Sequence, residues 1–126
     1  MSAGTVADLR RALAEAPPSA MAHARLGTAL LRAGEACEAE KELRAAVALD
    51  PACAAAWVNL GGLLLARWDF EASVEANRRA AEADPSLAMA HFNQGIGHLH
   101  LGEPARAAEA LGRAVELAPR DGAAYF

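Results

Sequence analysis

Trp57-Val58-Asn59-Leu60-Gly61-Gly62-Leu63-Leu64, a charged corner at Arg67-Trp68-Asp69 and a closing Ala83-Asp84-Pro85 decide how this 126-residue chain is read. Shifted by 34 residues in either direction, the stretch lands on a degraded copy of itself. His23, Trp57, His91 and Tyr125 share one column of that period, and Gly27, Gly61 and Gly95 share a second. Ala46, Ala80 and Ala114 form a third, and Pro17, Pro51, Pro85 and Pro119 a fourth. A fixed period of this length marks a repeat architecture, in which each copy buries its apolar face only against its neighbours.

Within the stretch, Trp57, Leu60, Gly61 and Leu64 fall at i, i+3, i+4 and i+7, the spacing of one face of a helix. Asp69 is an N-cap residue type and opens a second helical pattern carrying Phe70, Ser73, Val74, Asn77, Ala80 and Ala81 inward. Asp84-Pro85 ends it, because a residue before proline is pushed out of helical geometry. Residues 54–87 therefore read as a helix pair. Residues 20–53 and 88–121 read the same way, with Gly34 and Gly102 as turn residues, Pro104 suited to a first helical turn, and Ala107, Leu111, Ala114 and Val115 inward. Residues 1–19 supply a leading half-unit with Thr5 and Asp8 at its start, and 122–126 open an incomplete fourth unit. The expected fold is all-α: a solenoid of stacked antiparallel helix pairs, three full units behind a leading helix.

Composition agrees. Apolar residues make up 54% of the chain but aromatics only 5%, and alanine suits helices packed close together better than a sheet. The formal net charge is −4 and Lys41 is the only lysine, so no basic stripe with interleaved aromatics points to nucleic acid. No run of about 18 apolar residues spans a bilayer, and Asp8, Arg10, Arg11 and Glu15 interrupt what a signal peptide would need as its apolar centre. A cytoplasmic location is the expectation. Cys37 and Cys53 sit at opposite ends of one predicted helix, beyond disulfide reach, and read as two reduced thiols.

The pattern Trp57, Leu60, Gly61, Leu64, followed by Ala80 and Pro85, resembles the tetratricopeptide repeat, with leucine where that motif has tyrosine. The resemblance covers nearly the whole chain in three registers. It implies a right-handed superhelix whose first helices line a concave face where a peptide binds. It also implies that the chaperone-tail clamp is absent. At the clamp positions this chain has Ala24, Thr28, Asn59, Met89 and Asn93, and only Asn59 fits. The groove asparagines of the sugar-transferring members are matched by Asn59 and Asn93, but Arg25 breaks that ladder.

Departures from the pattern carry the functional expectations. His91, Gln94 and His98 occupy a face expected to be buried. They read either as a hydrogen-bonded, partly hydrated face or as a functional polar pocket; seven residues of helix, about 10 Å, keep the two histidines from sharing a metal ion. Asn77 is polar in the column of Leu43 and Leu111. Trp68 stands where the other units have glycine, and either covers the end of its own unit or anchors a partner. First helices also carry a second apolar line, Val58, Gly62 and Leu65, then Phe92, Ile96 and Leu99, with Ala24, Thr28 and Leu31 before them. A helix apolar on two faces needs two contacts, here a groove ligand or the neighbouring unit. Arg25, Thr28, Arg32, Val58, Asn59, Gly62, Phe92, Asn93, Ile96 and His100 are the expected groove residues. Trp68, Tyr125 and Phe126 are the expected edge or end contacts.

No nucleophile with a matched base, phosphate-cradling glycine loop or zinc-helix motif is legible, so no catalytic, cofactor or metal site is expected. Glu40/Arg44, Glu75/Arg79 and Glu109/Arg113 read as solvated i, i+4 pairs. The expected function is a non-enzymatic adaptor holding a peptide or amphipathic helix of another protein in its groove. The alternative is an assembly subunit docked through its ends and turn edge, including homo-oligomers through an uncapped C-terminal end.

Overall fold

The computed structural model describes residues 5–15 and 17–118. Among them the chain forms seven helices and no strand: α1 (Val6–Glu15), α2 (Ala20–Arg32), α3 (Ala36–Leu49), α4 (Ala54–Ala66), α5 (Phe70–Ala83), α6 (Ala88–His100) and α7 (Pro104–Leu117). No helix among these residues is long and apolar enough to cross a membrane. Tyr125 and Phe126 lie outside the described residues.

Local chemistry sets the boundaries. Ser19 is extended and its hydroxyl accepts from the Ala22 amide, capping α2. Asp50 and Asp84, each before a proline, take extended backbones with φ of −142° and −143°. Their carboxylates then accept the amides of Ala52 and Ser86 at 3.0 and 3.1 Å, turning the chain toward the next pair. Asp69 occupies the N-cap of α5 as expected, but its side chain makes no capping bond.

Each first helix meets its second through a tight Schellman turn. The amides of Glu35, Asp69 and Glu103 bond the carbonyls of Leu30, Leu64 and His98 at 2.8, 3.0 and 2.9 Å. Pair partners α2–α3, α4–α5 and α6–α7 pack most extensively, α3–α4 and α5–α6 join successive pairs, and α4 also touches both α2 and α6. The first helices thereby form a continuous wall.

Leu26, Leu30, Leu43 and Leu60 are the large apolar side chains most completely removed from water, with Ala39, Ala46, Ala56, Ala80, Ala90 and Ala107 filling the close crossings. A Cβ on Gly27 would meet Leu43 Cδ2 at 2.8 Å, and one on Gly95 would meet Leu111 Cγ at 2.6 Å. In the middle pair the crossing partner is Asn77, whose Cγ would lie 2.6 Å from a Cβ on Gly61. Val115, expected inward, is exposed. It lies one turn beyond Leu111 on α7, close to the end of that helix.

Asn77, polar in the column of Leu43 and Leu111, is fully buried. Its Nδ2 donates to the Ser73 carbonyl at 2.9 Å and Ser73 Oγ at 3.3 Å, and Ser73 Oγ donates to the Gly61 carbonyl at 2.7 Å. Asn93 Nδ2 closes the network onto Asn77 Oδ1 at 3.3 Å. A satisfied polar network of this kind ties α4, α5 and α6 together directionally, where leucine would only fill space.

Gly61→Ala should therefore destabilise the chain by about 2–3 kcal/mol, since the amide it displaces cannot move without losing its bonds. Gly112 has nothing within 4 Å of an added Cβ, so Gly112→Ala should gain about 0.5–1 kcal/mol from helix propensity alone. Urea unfolding of both variants, with opposite shifts expected, checks the assignment of the crossing.

Candidate functional site

The wall formed by α2, α4 and α6 carries two hollows. One, of about 460 Å³, is lined by Leu31, Val58, Asn59, Gly62, Leu63, Leu65, Ala66, Met89 and Asn93. The other, of about 290 Å³, is lined by Leu9, Met21, Ala24, Arg25, Thr28, Ala29, Arg32 and Ala55. The expected groove residues thus divide. Arg25, Thr28 and Arg32 line the smaller hollow, and Val58, Asn59, Gly62 and Asn93 the larger. Phe92 and Ile96 are half-buried on α6 and line neither.

A hydrogen bond separates the hollows. Asn59 Nδ2 donates to Thr28 Oγ1 at 2.8 Å, and Thr28 Oγ1 donates to the Ala24 carbonyl at 2.9 Å. Asn93 is the floor of the larger hollow rather than a projecting side chain, being only 7% exposed. Both asparagines donate inward, Asn59 to Thr28 and Asn93 to Asn77. Among the described residues no fully buried side-chain oxygen or nitrogen lacks a partner. Among the described residues neither Oδ1 accepts a hydrogen bond, so both keep some contact with solvent. Gly62 lies between them in the lining, and a Cβ there would touch only Asn93 Nδ2, at 3.8 Å. That space is open for a ligand. The larger hollow thus combines a mostly apolar lining with two side-chain amides.

His100 is not in this hollow. Its ring stacks on Phe70, with centroids 4.2 Å apart and planes at 3°, and lies 6.2 Å from the Trp68 ring. The stack draws it to the edge between α5 and α6. Trp68 itself is 76% exposed and does not cover the end of its unit.

On the opposite side, α5, α6 and α7 enclose a furrow of about 760 Å³ that includes His91, Gln94, His98, Arg78, Arg106 and Arg113 in its lining. His91 Nε2 bonds the Pro85 carbonyl at 3.2 Å, just as Trp57 Nε1 donates to Pro51 at 2.7 Å one period earlier. His98 Nδ1 bonds Glu103 at 2.9 Å. His91 and His98 on this face of α6 are thus each hydrogen-bonded within the chain. Arg78 and Arg79 bond Glu75 and hold its carboxyl below the usual carboxylate range. Arg67 and Arg44 do the same for Glu40. No group of three or more metal-ligating side chains is present among the described residues. Cys37 is exposed and Cys53 buried, both as free thiols.

Ser73 and Met89 are the residues that sequence reasoning left without a site role. Ser73 links the Asn77 network to Gly61; its only signal was a hydroxyl in a column otherwise filled by alanine. Met89 is a half-exposed lip of the larger hollow.

A family model described as a tetratricopeptide repeat matches residues 24–88, and a second with the same description matches 88–121. No match to a curated protein sequence reaches significance. Among solved structures, the crystal structure of MamA is 22% identical, with 94% of this chain and 69% of that one covered and a TM-score of 0.81. YrrB, a TPR protein with an unusual peptide-binding site, is 23% identical, covering 91% of this chain and 59% of that chain at a TM-score of 0.77. The second TPR of Spaghetti (RPAP3), bound to the HSP90 peptide SRMEEVD, is 20% identical over 79% of this chain and 92% of that one, with a TM-score of 0.76.

Removing either asparagine tests how the wall is held. Asn93→Ala strands Asn77 Oδ1 in the core and should lower stability by about 1–3 kcal/mol. Asn59→Ala leaves Thr28 bonded to Ala24 and should lower it by no more than about 1 kcal/mol. Chemical denaturation of the two variants side by side gives the ranking.

Proposed function

Because this chain belongs to the tetratricopeptide repeat family, we propose that it is a non-enzymatic protein-interaction adaptor. It holds a peptide or helical segment of a partner against the wall of first helices. The observation that carries this reading is the larger hollow, where Leu31, Val58 and Leu65 share the lining with the side-chain amides of Asn59 and Asn93. An apolar segment gains by burying side chains there, and its backbone groups find hydrogen-bond partners in the side-chain amides of Asn59 and Asn93. YrrB has a peptide-binding site and the Spaghetti repeat holds an HSP90 peptide, which supports a peptide as ligand.

The acidic tail of the HSP90 peptide is a poor fit to this hollow. Its lining carries no arginine or lysine to pair with a carboxylate. The preferred ligand is an apolar or amphipathic segment. Arg25 and Arg32 flank the smaller hollow, so any acidic residue of the same ligand belongs at that end. Phe92 and Ile96 support the wall from α6 rather than meeting the ligand in the hollow.

Docking through edges and ends, as an assembly subunit, is the second reading. It is favoured by the exposed Trp68 and by Val115 and Leu117, exposed on α7.

Gly62→Arg separates the two. The new side chain fills the hollow without a clash and replaces a helical glycine, so stability should hold or rise by up to about 1 kcal/mol. Capture of the partner from an extract of the native host should fall at least about tenfold, the loss of one well-buried anchor. Capture that survives Gly62→Arg but fails with Trp68→Ala would show that the hollow is not the binding surface.

A further inference from the structure

The three turns that join first to second helices share one hydrogen-bond pattern but not one residue. Gly34 and Gly102 occupy the left-handed position at φ of 82° and 76°. Trp68 occupies it at φ 65°, the only non-glycine residue with positive φ among the described residues. An L side chain is strained there because its Cβ crowds the following carbonyl oxygen. Packing within the chain returns little, since the side chain is 76% exposed. A strained residue whose side chain faces water points to a role outside the fold.

Its surroundings define the chemistry of that role. Phe70 lies 6.0 Å from the indole and is stacked on His100, which forms a rigid backing of rings. Asp69 and Glu71 follow Trp68 in sequence and are exposed. Neither carboxylate has an ion-pair partner among the described residues, and Asp69 makes no capping bond. Arg67, the nearest cation in sequence, is already bonded to Glu40 on α3. The edge therefore presents an exposed aromatic ring and, at the start of α5, two exposed carboxylates without an ion-pair partner among the described residues.

We propose that this edge is a second binding surface, which takes an arginine side chain from an extended segment of a partner protein. The guanidinium lies on the Trp68 indole and forks toward Asp69 and Glu71. Arginine fits better than lysine, because a planar, weakly hydrated fork stacks on a ring and pairs with carboxylates at once. The surface is separate from the hollow on the first-helix wall, so its occupancy does not depend on a peptide being bound there.

The test uses the full chain carrying Trp57→Phe, which leaves Trp68 as the reporter fluorophore. It is titrated with a blocked Gly-Arg-Gly-Arg-Gly peptide and with the same peptide bearing glutamine for arginine. A saturable change in Trp68 emission is expected with the arginine peptide alone. By calorimetry, Asp69→Asn with Glu71→Gln should weaken that peptide about tenfold, and Trp68→Gly should abolish its binding. Trp68→Gly should also raise Tm by about 3–5 °C by relieving the turn. Trp68→Ala, which keeps the strain, should lose binding without that rise. Equal binding of the glutamine peptide, undiminished binding by Trp68→Gly, or a fall in its Tm overturns the proposal. A Trp68-dependent dimer in light scattering also overturns it, in favour of a second copy as occupant.

Discussion

The spacing of the whole molecule depends on one recurring contact. A glycine on the first helix of each pair receives a large side chain from the second. Leu43 enters at Gly27, Asn77 at Gly61 and Leu111 at Gly95. Any side chain at the glycine would push the helices apart, and the alanine columns around it could not refill the gap. This is why so much of the core is alanine. Closely crossed helices need small residues at the crossing and a few leucines beside it, and dense packing does the rest.

The middle crossing is the exception that shapes the wall of first helices. With asparagine instead of leucine, the contact needs directed partners as well as volume, because a buried amide left unpaired is costly. Ser73, the Gly61 carbonyl and Asn93 supply them. Asn93 is thereby drawn down from the groove to its floor, and one of its N–H groups is used inside the protein. The polarity of the larger hollow thus follows from a substitution in the core, one helix layer away. Asn59 repeats the arrangement through Thr28. Both side-chain amides of the hollow are therefore held by a bond to a neighbouring helix, for different local reasons.

The turns show the opposite economy. Gly34 and Gly102 satisfy the left-handed position without strain, whereas Trp68 satisfies it against its own Cβ. The Arg67–Glu40 pair anchors this corner to α3, and the low pKa direction of the Glu40 carboxyl reflects that bond. The chain thus spends conformational strain at one corner and keeps a large aromatic ring in water there. The first-helix wall and this corner are physically distinct surfaces.

Much of this was legible before any coordinates. The 34-residue period, the helical spacing of Trp57, Leu60, Gly61 and Leu64, and the Asp-Pro and Gly stops determined an all-α repeat and its helix order. Those signals are local, and each residue reports its own backbone preference or helix face. Asn77 and Asn93 were legible as polar residues in unusual columns, but not as partners, because they lie on different helices and only packing brings their amides within 3.3 Å. For the same reason the sequence placed His100 in the groove, while the stack with Phe70 carries it to the edge. Trp68 was visible as an oddity, but whether its ring is covered or exposed depends on neighbours contributed by α5 and α6. Periodicity determines which residues share a helix face. Tertiary structure decides which of those faces meet, which polar groups find partners, and which are left for another molecule.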